Sequence, residues 1–434
     1  MPRTPSHHLE IWRSIADDAK WEPLLCAAAD CDPANVAELT RLRALAPPGY
    51  VNVALELTAA RAKAARHNKF PPNVASRIIA DIPGIEMASS RLAADYQADR
   101  IAQILNSSNK DGPPTVHDLC SGIGADAMSL ADRRFHIIAY DHNPLRAWMT
   151  ERNANCLSRT DDVTIFNLDE IRYFHLDPSR RSESQNNSKT GQRSWRLEDY
   201  KPGPDFIRRL INHPNRAGAV KLGPGINFAD LPFDQQSQHD TSIALELEFI
   251  SEPPDHRLTQ AILWTGCFAS TRRRATVLPS RKTLASDKNV TDFDQPPIAE
   301  KFGRFLFTIN PAVERAQLLA ELCNQTSFPL IHPKLGLLTG DQPINDNPWI
   351  IATFELLEQL PNYREQKVKR WLNEHHAGIV EIKTRNKVVN PDFLQKQFRG
   401  KGDNPFTLFI LRFDDKVKTL ITRRITLPAT KSIY

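Results

Sequence analysis

Two neighbouring stretches decide the fold of this chain: TVHDLCSGIGAD at residues 115–126 and HIIAYDHNP at residues 136–144. The first has the pattern of a short strand that runs through a glycine turn into a helix, and the second that of a strand ending in an acidic residue. Glycine lets the backbone approach a ligand closely, because it has no Cβ and tolerates a positive φ. An acidic residue about 20 positions later, at the end of the next strand, can accept both hydroxyls of a ribose. Gly122 and Asp141 therefore predict a cofactor that contains a nucleoside.

This pairing fits either a dinucleotide or S-adenosylmethionine, and three features favour S-adenosylmethionine. The loop is GIGAD rather than G-x-G-x-x-G, so the cradle for a pyrophosphate is incomplete. Asp118 precedes the loop, where it can bind the ammonium group of the cofactor or order the loop. Leu168 and Asp169 follow the third predicted strand, where a backbone N–H and a carboxylate can meet the adenine edge. A nicotinamide-dependent reductase is the disfavoured alternative.

The surrounding sequence alternates predicted strands and helices with short loops, which is typical of a parallel, doubly wound sheet. Two later segments, 241–250 and 259–266, alternate apolar and polar residues like antiparallel strands. The predicted strands of the parallel part are 115–119, 136–140, 163–166, 171–176 and 219–222, and its predicted helices are 125–132 and 145–154.

The flanking regions have a different character. Residues 1–108 are rich in Ala, Leu and Arg, and 85–105 has the apolar spacing of one amphipathic helix. The end of the chain reads as a separate α+β unit, with a helix over 311–323, after a polar linker at about 280–297. We therefore predict three regions: a helical one at 1–110, the sheet domain at 111–285 and the α+β domain at 298–434.

Composition sets limits on the kind of protein. The chain has 434 residues, a formal net charge of +5 and 41% hydrophobic residues, which is an ordinary globular composition. It has no apolar run of about 18 residues and no apolar stretch near its start, so we expect a soluble protein of a reducing compartment, the cytoplasm, without a membrane partner. Its six cysteines form no C-x-x-C pair, so we expect no metal site.

Basic residues are concentrated in three segments, as expected for contacts with a polyanion. The segment from 364 to 434 has 16 basic and 7 acidic residues, and the segment from 179 to 218 has 9 and 4. A third, short cluster includes Arg272 and Arg273. This distribution favours a nucleic-acid substrate over a small molecule.

The fourth predicted strand ends in Asp177-Pro178-Ser179-Arg180-Arg181. Ligands of open α/β sheets bind beyond the carboxyl ends of the strands, so this motif should face the methyl donor. Asp177 can orient the attacking group or accept its proton. Arg180 and Arg181 can grip phosphate through their planar guanidinium groups.

With these motifs the chain resembles the bacterial class I S-adenosylmethionine-dependent methyltransferases that carry a C-terminal THUMP-like, ferredoxin-like domain. It is also similar to methyltransferases of the trimethylguanosine synthase type. The resemblance covers most of the chain and implies a Rossmann-like, seven-stranded sheet, an N-terminal helical region and methylation of RNA, such as a base of rRNA or tRNA. The stretches that carry it are 84–90, 118–126, 140–145, 176–181, 220–225, 273–277 and 380–385.

The resemblance also implies roles for individual residues. Asp177 and Pro178 are the expected catalytic residues. The expected cofactor-binding residues are Asp118, Ser121, Gly122, Gly124, Asp126, Asp141, His142, Asn143, Leu168 and Asp169. The expected RNA-binding residues are Arg180, Arg181, Arg272, Arg273, Lys383 and Arg385.

The acceptor motif departs from that of the related enzymes. Enzymes that methylate exocyclic base nitrogens have (Asp/Asn)-Pro-Pro-aromatic at this place, whereas this chain has Asp177-Pro178-Ser179-Arg180. The departure motivates an alternative: an RNA-binding or ribosome-assembly factor that keeps the fold without turnover.

Overall fold

The structure is a computed structural model, and it describes residues 5–66, 69–108, 112–179, 196–226, 231, 243–288, 294–344, 346–385 and 387–425. The chain divides into two compact units. The first contains residues 1–247 and 260–270, and the second contains residues 248–259 and 271–434. The three domain boundaries expected from the sequence stay predictions.

The first unit begins with seven helices. A side-chain oxygen caps several of them: Asn35 accepts from the amides of Ala37 and Glu38, and Asp81 accepts from the amide of Gly84. The helices are α1 (Pro5–Asp17), α2 (Glu22–Ala29), α3 (Val36–Arg43), α4 (Pro48–Arg66), α5 (Pro72–Ala75), α6 (Ile82–Met87) and α7 (Arg91–Ser108).

The prediction of one continuous helix over 85–105 is wrong. The helical path breaks between Met87, the end of α6, and Arg91, the start of α7. Ser90 Oγ accepts a hydrogen bond from the amide of Ala93 at 3.1 Å, which is the contact that starts a new helix. The short segment between the two helices places Ser89 in a buried position.

The remainder of the first unit is a parallel sheet flanked by helices. Its strand order is β3-β2-β1-β4-β5-β7-β6, and β7 runs antiparallel to β5, with Gly218 opposite Thr265. The elements are β1 (Thr115–Leu119), α8 (Ala125–Ala131), β2 (His136–Asp141), α9 (Pro144–Ala154), β3 (Leu157–Thr160), β4 (Tyr173–Leu176), α10 (Pro204–Ile211), β5 (Ala217–Leu222), β6 (Leu245–Glu252) and β7 (Arg257–Thr265), of which the parts of β6 and β7 within residues 248–259 belong to the second unit. The Rossmann-like sheet predicted from the sequence is confirmed.

The third strand lies earlier than predicted. Residues 163–165 form a 3-10 helix, because the Asp162 side chain accepts a hydrogen bond from the amide of Thr164. The strand β3 pairs with β2 instead, with Leu157 opposite Ile138. Most of its residues are exposed at the edge of the sheet, so β3 lacks the apolar pattern by which strands are recognised.

The second unit contains a hairpin, β8 (Arg273–Val277) with β9 (Lys282–Ser286), and a six-stranded sheet. The order of that sheet is β11-β10-β12-β15-β14-β13, in which β13 and β14 are parallel. Its elements are β10 (Phe305–Ile309), α11 (Pro311–Arg315), α12 (Leu319–Thr326), β11 (Leu337–Gly340), β12 (Ile350–Leu360), α13 (Glu365–Glu374), β13 (Ala377–Thr384), α14 (Pro391–Phe398), β14 (Asn404–Phe413) and β15 (Lys416–Ile425). The predicted α+β character is confirmed.

Both faces of the second sheet are packed. Along β14, Leu408 and Ile410 join an apolar cluster with α13 and α14, whereas Phe409 and Leu411 join a second cluster on the opposite face. This is the period-two alternation expected of a strand that is buried on both sides. Two details of the prediction are wrong here. The expected helix over 311–323 is divided, since Gln317 has a φ of 56°, and the expected linker contains β9.

Candidate active site

The glycine loop after β1 has three residues in the left-handed region. Cys120, Gly122 and Gly124 have φ values of 65°, 61° and 83°. A Cβ on Gly124 would lie 3.0 Å from the Cα of Thr150, so the loop packs too closely on α9 for a side chain there. Thr150 Oγ1 also donates to the carbonyl oxygen of Gly122 at 3.0 Å. Burial raises the pKa of the Cys120 thiol well above its ordinary value, which keeps the thiol protonated.

Asp141, at the end of β2, holds the loop. Its Oδ2 accepts from the amide of Gly122 at 2.9 Å, and its Oδ1 accepts from the amide of Asn143 at 2.9 Å. Burial raises the pKa of the Asp141 carboxyl, and the two amides oppose that effect. Ser121 lies in the same loop, with its amide donating to the carbonyl oxygen of Tyr140. The structure therefore brings Ser121, Gly122, Asp141 and Asn143 together, and their role in binding the cofactor stays a prediction.

The two residues after Asp141 differ in their surroundings. The Asn143 side chain caps α9 by accepting from the amides of Leu145 and Arg146. His142 is exposed, with Nδ1 3.5 Å from Oδ1 of Asp141. His142 thus lies beside the carboxylate, whereas the side-chain oxygen of Asn143 is engaged within its own helix.

The N-terminal helices pack directly on this loop. Asp81 pairs with Arg146 of α9. A Cβ on Gly84 would lie 2.2 Å from Nη1 of Arg146 and 2.5 Å from the Ile123 side chain. Asn153 links both parts, since its Nδ2 donates to the carbonyl oxygens of Ile79 and Ile123. Residues 79–84 therefore brace the glycine loop and α9.

Asp118 lies in the strand and pairs with a histidine. Its Oδ1 is 2.8 Å from Nδ1 of His175 on the neighbouring strand β4, and it is 1% exposed. Burial raises the pKa of Asp118, and the hydrogen bond from His175 opposes this. Burial alone lowers the pKa of His175, but Asp126 and Asp118 outweigh it, so the pKa lies above the ordinary value. Asp118 is thus paired with His175, and this contact connects it to β4, the strand that ends in the acceptor motif.

A buried lysine links the loop helix to the acceptor motif. Nζ of Lys221 on β5 donates to Oδ2 of Asp126 at 3.0 Å and to Oδ2 of Asp177 at 2.5 Å. It also donates to Oγ of Ser89, which in turn donates to Asp126 Oδ2 at 2.8 Å. Burial disfavours the charge on Lys221, but Asp126 and Asp177 outweigh it and hold the lysine pKa above its usual range. Asp126 and Asp177 are therefore joined in one cluster.

The acceptor motif lies at the carboxyl end of β4. The amide of Asp177 donates to the carbonyl oxygen of Leu119, so the motif lies beside the glycine loop. Ser179 pairs with Lys201 through two backbone hydrogen bonds, of 2.8 and 2.9 Å. Pro178 lies between Asp177 and Ser179, whose backbones are both held by these hydrogen bonds. Arg180 and Arg181 lie outside the described residues.

The structure does not bring Leu168 and Asp169 to this edge. Leu168 is buried, and Asp169 is an exposed side chain 3.6 Å from Nη2 of Arg216. Arg216 immediately precedes β5, so this contact lies at the amino ends of the strands. The residues that directly follow β3 are Asp161 and Asp162. Leu168 and Asp169 were expected at this edge because the third strand was predicted at 163–166, later in the chain than the observed β3.

The predicted RNA-binding residues of the second unit fall into two groups. Arg273 is fully buried, and its guanidinium donates to the carbonyl oxygens of Gln317 and Lys288 and faces Glu321 at 3.3 Å. The prediction of an RNA contact for Arg273 is therefore wrong. Arg272 is half-buried beside it.

The other two predicted residues lie on β13 or just after it. Lys383 pairs with Glu381 at 2.8 Å, and Arg385 pairs with Glu314 through two contacts of 2.8 Å. The Arg385 side chain is 43% exposed, so it can still meet a phosphate by exchanging partners.

Sequence reasoning missed His175, Lys221 and Ser89 as members of the site. A signal existed for two of them: His175 and Lys221 interrupt the apolar strands YFHL and AGAVKL, in which nearly every residue is buried. A titratable side chain in a strand covered on both faces needs a partner of opposite charge. Ser89 gave no such signal, because a serine between helices is ordinarily a cap.

The strand order, the reversed β7, the glycine turn after β1 and the acid after β2 together define the class I methyltransferase fold. None of the described helices is long and apolar enough to cross a membrane. Within the described ranges, no group of three or more His, Cys, Asp or Glu side chains is arranged to hold a metal ion.

Comparisons with known proteins agree with this class. Residues 351–424 match the family described as THUMP domain-like. Two relatives, from Mycobacterium tuberculosis strains CDC 1551 / Oshkosh and ATCC 25618 / H37Rv, are each 26% identical over 386 residues, covering 86% of this chain and 96% of theirs. Both are described as uncharacterized S-adenosylmethionine-dependent methyltransferases. The crystal structure of a provisionally named methyltransferase from Porphyromonas gingivalis W83 has a TM-score of 0.64 at 18% identity, covers 93% of this chain and 99% of its own, and supports the fold.

The chain is thus a class I S-adenosylmethionine-dependent methyltransferase with a C-terminal THUMP-like domain.

Proposed function

We propose that this enzyme methylates a base of structured RNA, such as rRNA or tRNA. The observation that carries the proposal is the THUMP-like match at residues 351–424, most of which overlaps the most basic part of the chain. From residue 364 to the end there are 16 basic and 7 acidic residues. Structured RNA offers mainly phosphates and 2′-hydroxyls, which basic side chains on a sheet surface can contact.

The donor site in this proposal is the edge formed by the glycine loop and the end of β2. Gly122 and Gly124 let the backbone approach the donor, and Asp141 accepts the two ribose hydroxyls. Ser121, His142 and Asn143 complete the lining of that edge. We assign the adenine end to the residues directly after β3, Asp161 and Asp162, in place of Leu168 and Asp169.

Asp118 and Asp126 contribute buried carboxylates next to this edge. Both are buried, and each has a carboxylate oxygen without a hydrogen-bond partner among the described residues. The charges of these two carboxylates are the electrostatic complement of the positively charged ammonium group of the methyl donor. Their negative charges also favour a sulfonium over the neutral sulfur that remains after transfer.

S-adenosylmethionine supplies a methyl group that is already activated as a sulfonium, so positioning contributes much of the rate. The acceptor nitrogen or carbon of the base forms the new bond to the methyl carbon as the bond to sulfur breaks. Asp177 accepts a hydrogen bond from the acceptor and then the proton that the methylated atom releases. Pro178 fixes the backbone between Asp177 and the paired Ser179, which keeps that carboxylate aimed along the sheet edge.

The RNA contacts of the proposal lie mainly in the second unit. Arg423 and Arg424 of β15 are both exposed, and Arg385 and Lys383 lie on or beside β13. We keep Arg272 as a proposed RNA contact but not Arg273, because the Arg273 side chain is buried. Arg180 and Arg181, next to the acceptor motif in the sequence, are assigned the phosphate that flanks the target base.

The test combines nucleoside mass spectrometry with a transfer assay. RNA from cells that lack the gene should miss one methylated nucleoside, and purified enzyme with labelled S-adenosylmethionine should restore it. Asp177→Asn should reduce the transfer rate at least a hundredfold, while S-adenosylhomocysteine still binds. Identical nucleoside profiles, together with no label in RNA from the deletion strain, would refute an RNA substrate.

The acceptor motif favours one second candidate, a non-catalytic RNA-binding factor. Ser179 stands where related enzymes have the second proline, and the stacking aromatic of those enzymes is replaced by Arg180. Retained RNA binding and S-adenosylhomocysteine binding without any transfer would support this second candidate.

A further inference from the structure

Lys221 is a lysine in the centre of the first sheet. It is 8% exposed and lies on β5, a strand in which all six residues are buried, between β4 and β7. Placing an ammonium group there is costly unless every N–H has an acceptor. Lys221 has three such acceptors: Ser89 Oγ, Asp126 Oδ2 and Asp177 Oδ2.

Those three acceptors come from three separate elements. Ser89 lies between α6 and α7, Asp126 is in the first turn of α8, and Asp177 follows β4. Because an ammonium group has three N–H donors, the direction of the one that meets Asp177 is fixed by the other two. The Asp177 side chain keeps 30% of its surface exposed, so its carboxylate is held from one side and open on the other.

The charges around Asp177 make this contact necessary. The carboxylate of Asp126 shares Lys221 with Asp177, and Asp118 pairs with His175 on the neighbouring strand β4. His175 Nε2 also faces Asp126 Oδ1 at 3.9 Å. The Cys120 thiol lies near the same carboxylates and, with its raised pKa, adds no charge. Asp126 repels a negative charge on Asp177, and Lys221 is the cation in direct contact with both.

We infer that Lys221 is a positioning residue for methyl transfer: its ammonium group holds the Asp177 carboxylate in the orientation that faces the acceptor. The inference deepens the proposed function and rests on it, since Asp177 is the proton acceptor only there. Lys221 touches neither donor nor acceptor in this role.

The inference predicts a loss of transfer rate without a loss of donor affinity. In Lys221→Met the Asp177 carboxylate loses the ammonium group that holds it in place, so the transfer rate constant at saturating donor should fall by about tenfold or more. Lys221→Arg keeps a cation and N–H donors at this position and should recover part of the lost rate.

The experiment uses full-length enzyme, labelled S-adenosylmethionine and total RNA from the deletion strain, with transfer rates measured at saturating donor. Lys20→Met is the matched control, because Lys20 also contacts an aspartate, Asp18, but is exposed. The affinity for S-adenosylhomocysteine, measured by calorimetry, should change less than threefold in Lys221→Met. A Lys221→Met rate constant within twofold of wild type would overturn the inference, as would a Lys221→Arg rate constant no higher than that of Lys221→Met.

Two additions keep the test decisive. If Lys221→Met does not fold, the double variant Lys221→Met/Asp126→Asn removes one positive and one negative charge together and should still show the reduced transfer rate, because Asp177 still lacks its ammonium partner. If wild-type enzyme transfers no methyl group to this RNA, the proposed function fails, and a melting-temperature cycle of Lys221→Met with Asp177→Asn then tests the contact alone. Non-additive melting temperatures would keep the contact, and strictly additive ones would overturn it.

Discussion

Replacing Asp141 by alanine tests the assignment of the donor site most directly. The Asp141 carboxylate accepts two amide hydrogen bonds, from Gly122 and Asn143, each of 2.9 Å, and in the proposed function it also accepts the ribose hydroxyls. Hydrogen bonds to a charged group contribute about 1.5–3 kcal/mol each. Losing the ribose contact alone should therefore weaken S-adenosylhomocysteine binding by a factor of about 10 to 150.

The two freed amides add a second effect. Gly122 and Asn143 would each lose the acceptor that holds the loop, so the free energy of unfolding should fall by roughly 1–3 kcal/mol. Asp141→Asn keeps one acceptor oxygen without the charge and should lie between wild type and Asp141→Ala in both measurements. Calorimetric titration with S-adenosylhomocysteine, after a thermal melt has shown that each variant is folded, measures the two effects separately.

Asp169→Ala is the matched comparison, because the sequence alone assigned that carboxylate to the same cofactor. The structure places Asp169 beside Arg216, at the other ends of the strands, so its removal should change the affinity less than twofold. The reasoning is refuted if Asp141→Ala binds within twofold of wild type, or if Asp169→Ala is weakened as strongly as Asp141→Ala.

Three further predictions follow from contacts outside the donor edge. Gly84→Ala places a Cβ 2.2 Å from Nη1 of Arg146 and should lower the free energy of unfolding by about 1–3 kcal/mol in a denaturant titration; an unchanged midpoint would contradict the packing. The pKa of His175 is raised, so its charged form stabilises the fold below about pH 6.5, and this stabilisation is lost as the pH rises through the raised pKa. His175→Gln should therefore flatten that part of the plot of melting temperature against pH. A plot parallel to that of the wild type would contradict the prediction. Arg273→Lys should cost about 3 kcal/mol of stability because several buried carbonyl oxygens lose their donors, whereas Arg385→Lys should cost under about 1 kcal/mol; equal melting temperatures for the two variants would contradict the assigned burial.

The glycine turn and the strands around it were predictable because their signals are local. Gly122 and Gly124 need a positive φ, and the strands on either side of the turn alternate with helices in the periods that sheets and helices impose. The residues from 115 to 154 therefore fold within one or two positions of the expected bounds. The third strand was not predictable in this way, since β3 is an exposed edge strand held by backbone hydrogen bonds to β2.

The buried charges lay beyond sequence reasoning for a different reason. The contact between Lys221 and Asp126 joins residues 95 positions apart, and no periodicity records which side chains of neighbouring strands point to the same face and meet. Arg273 shows the opposite error. It lies in a run of three arginines, which is a pattern typical of an exposed surface. The Arg273 side chain is nevertheless buried and donates hydrogen bonds to carbonyl oxygens.

The bracing of the glycine loop by residues 79–84 also limits how far the protein can be shortened. A fragment that starts at β1 would contain every strand of the first sheet, and yet Asn153 would lose the carbonyl oxygen of Ile79 and Arg146 would lose Asp81. The apolar surface of Ile123, buried in the whole chain, would lose its close neighbour Gly84. The smallest fragment that should still take up the methyl donor therefore begins before Ile79, and the helices ahead of the sheet count as part of the donor site.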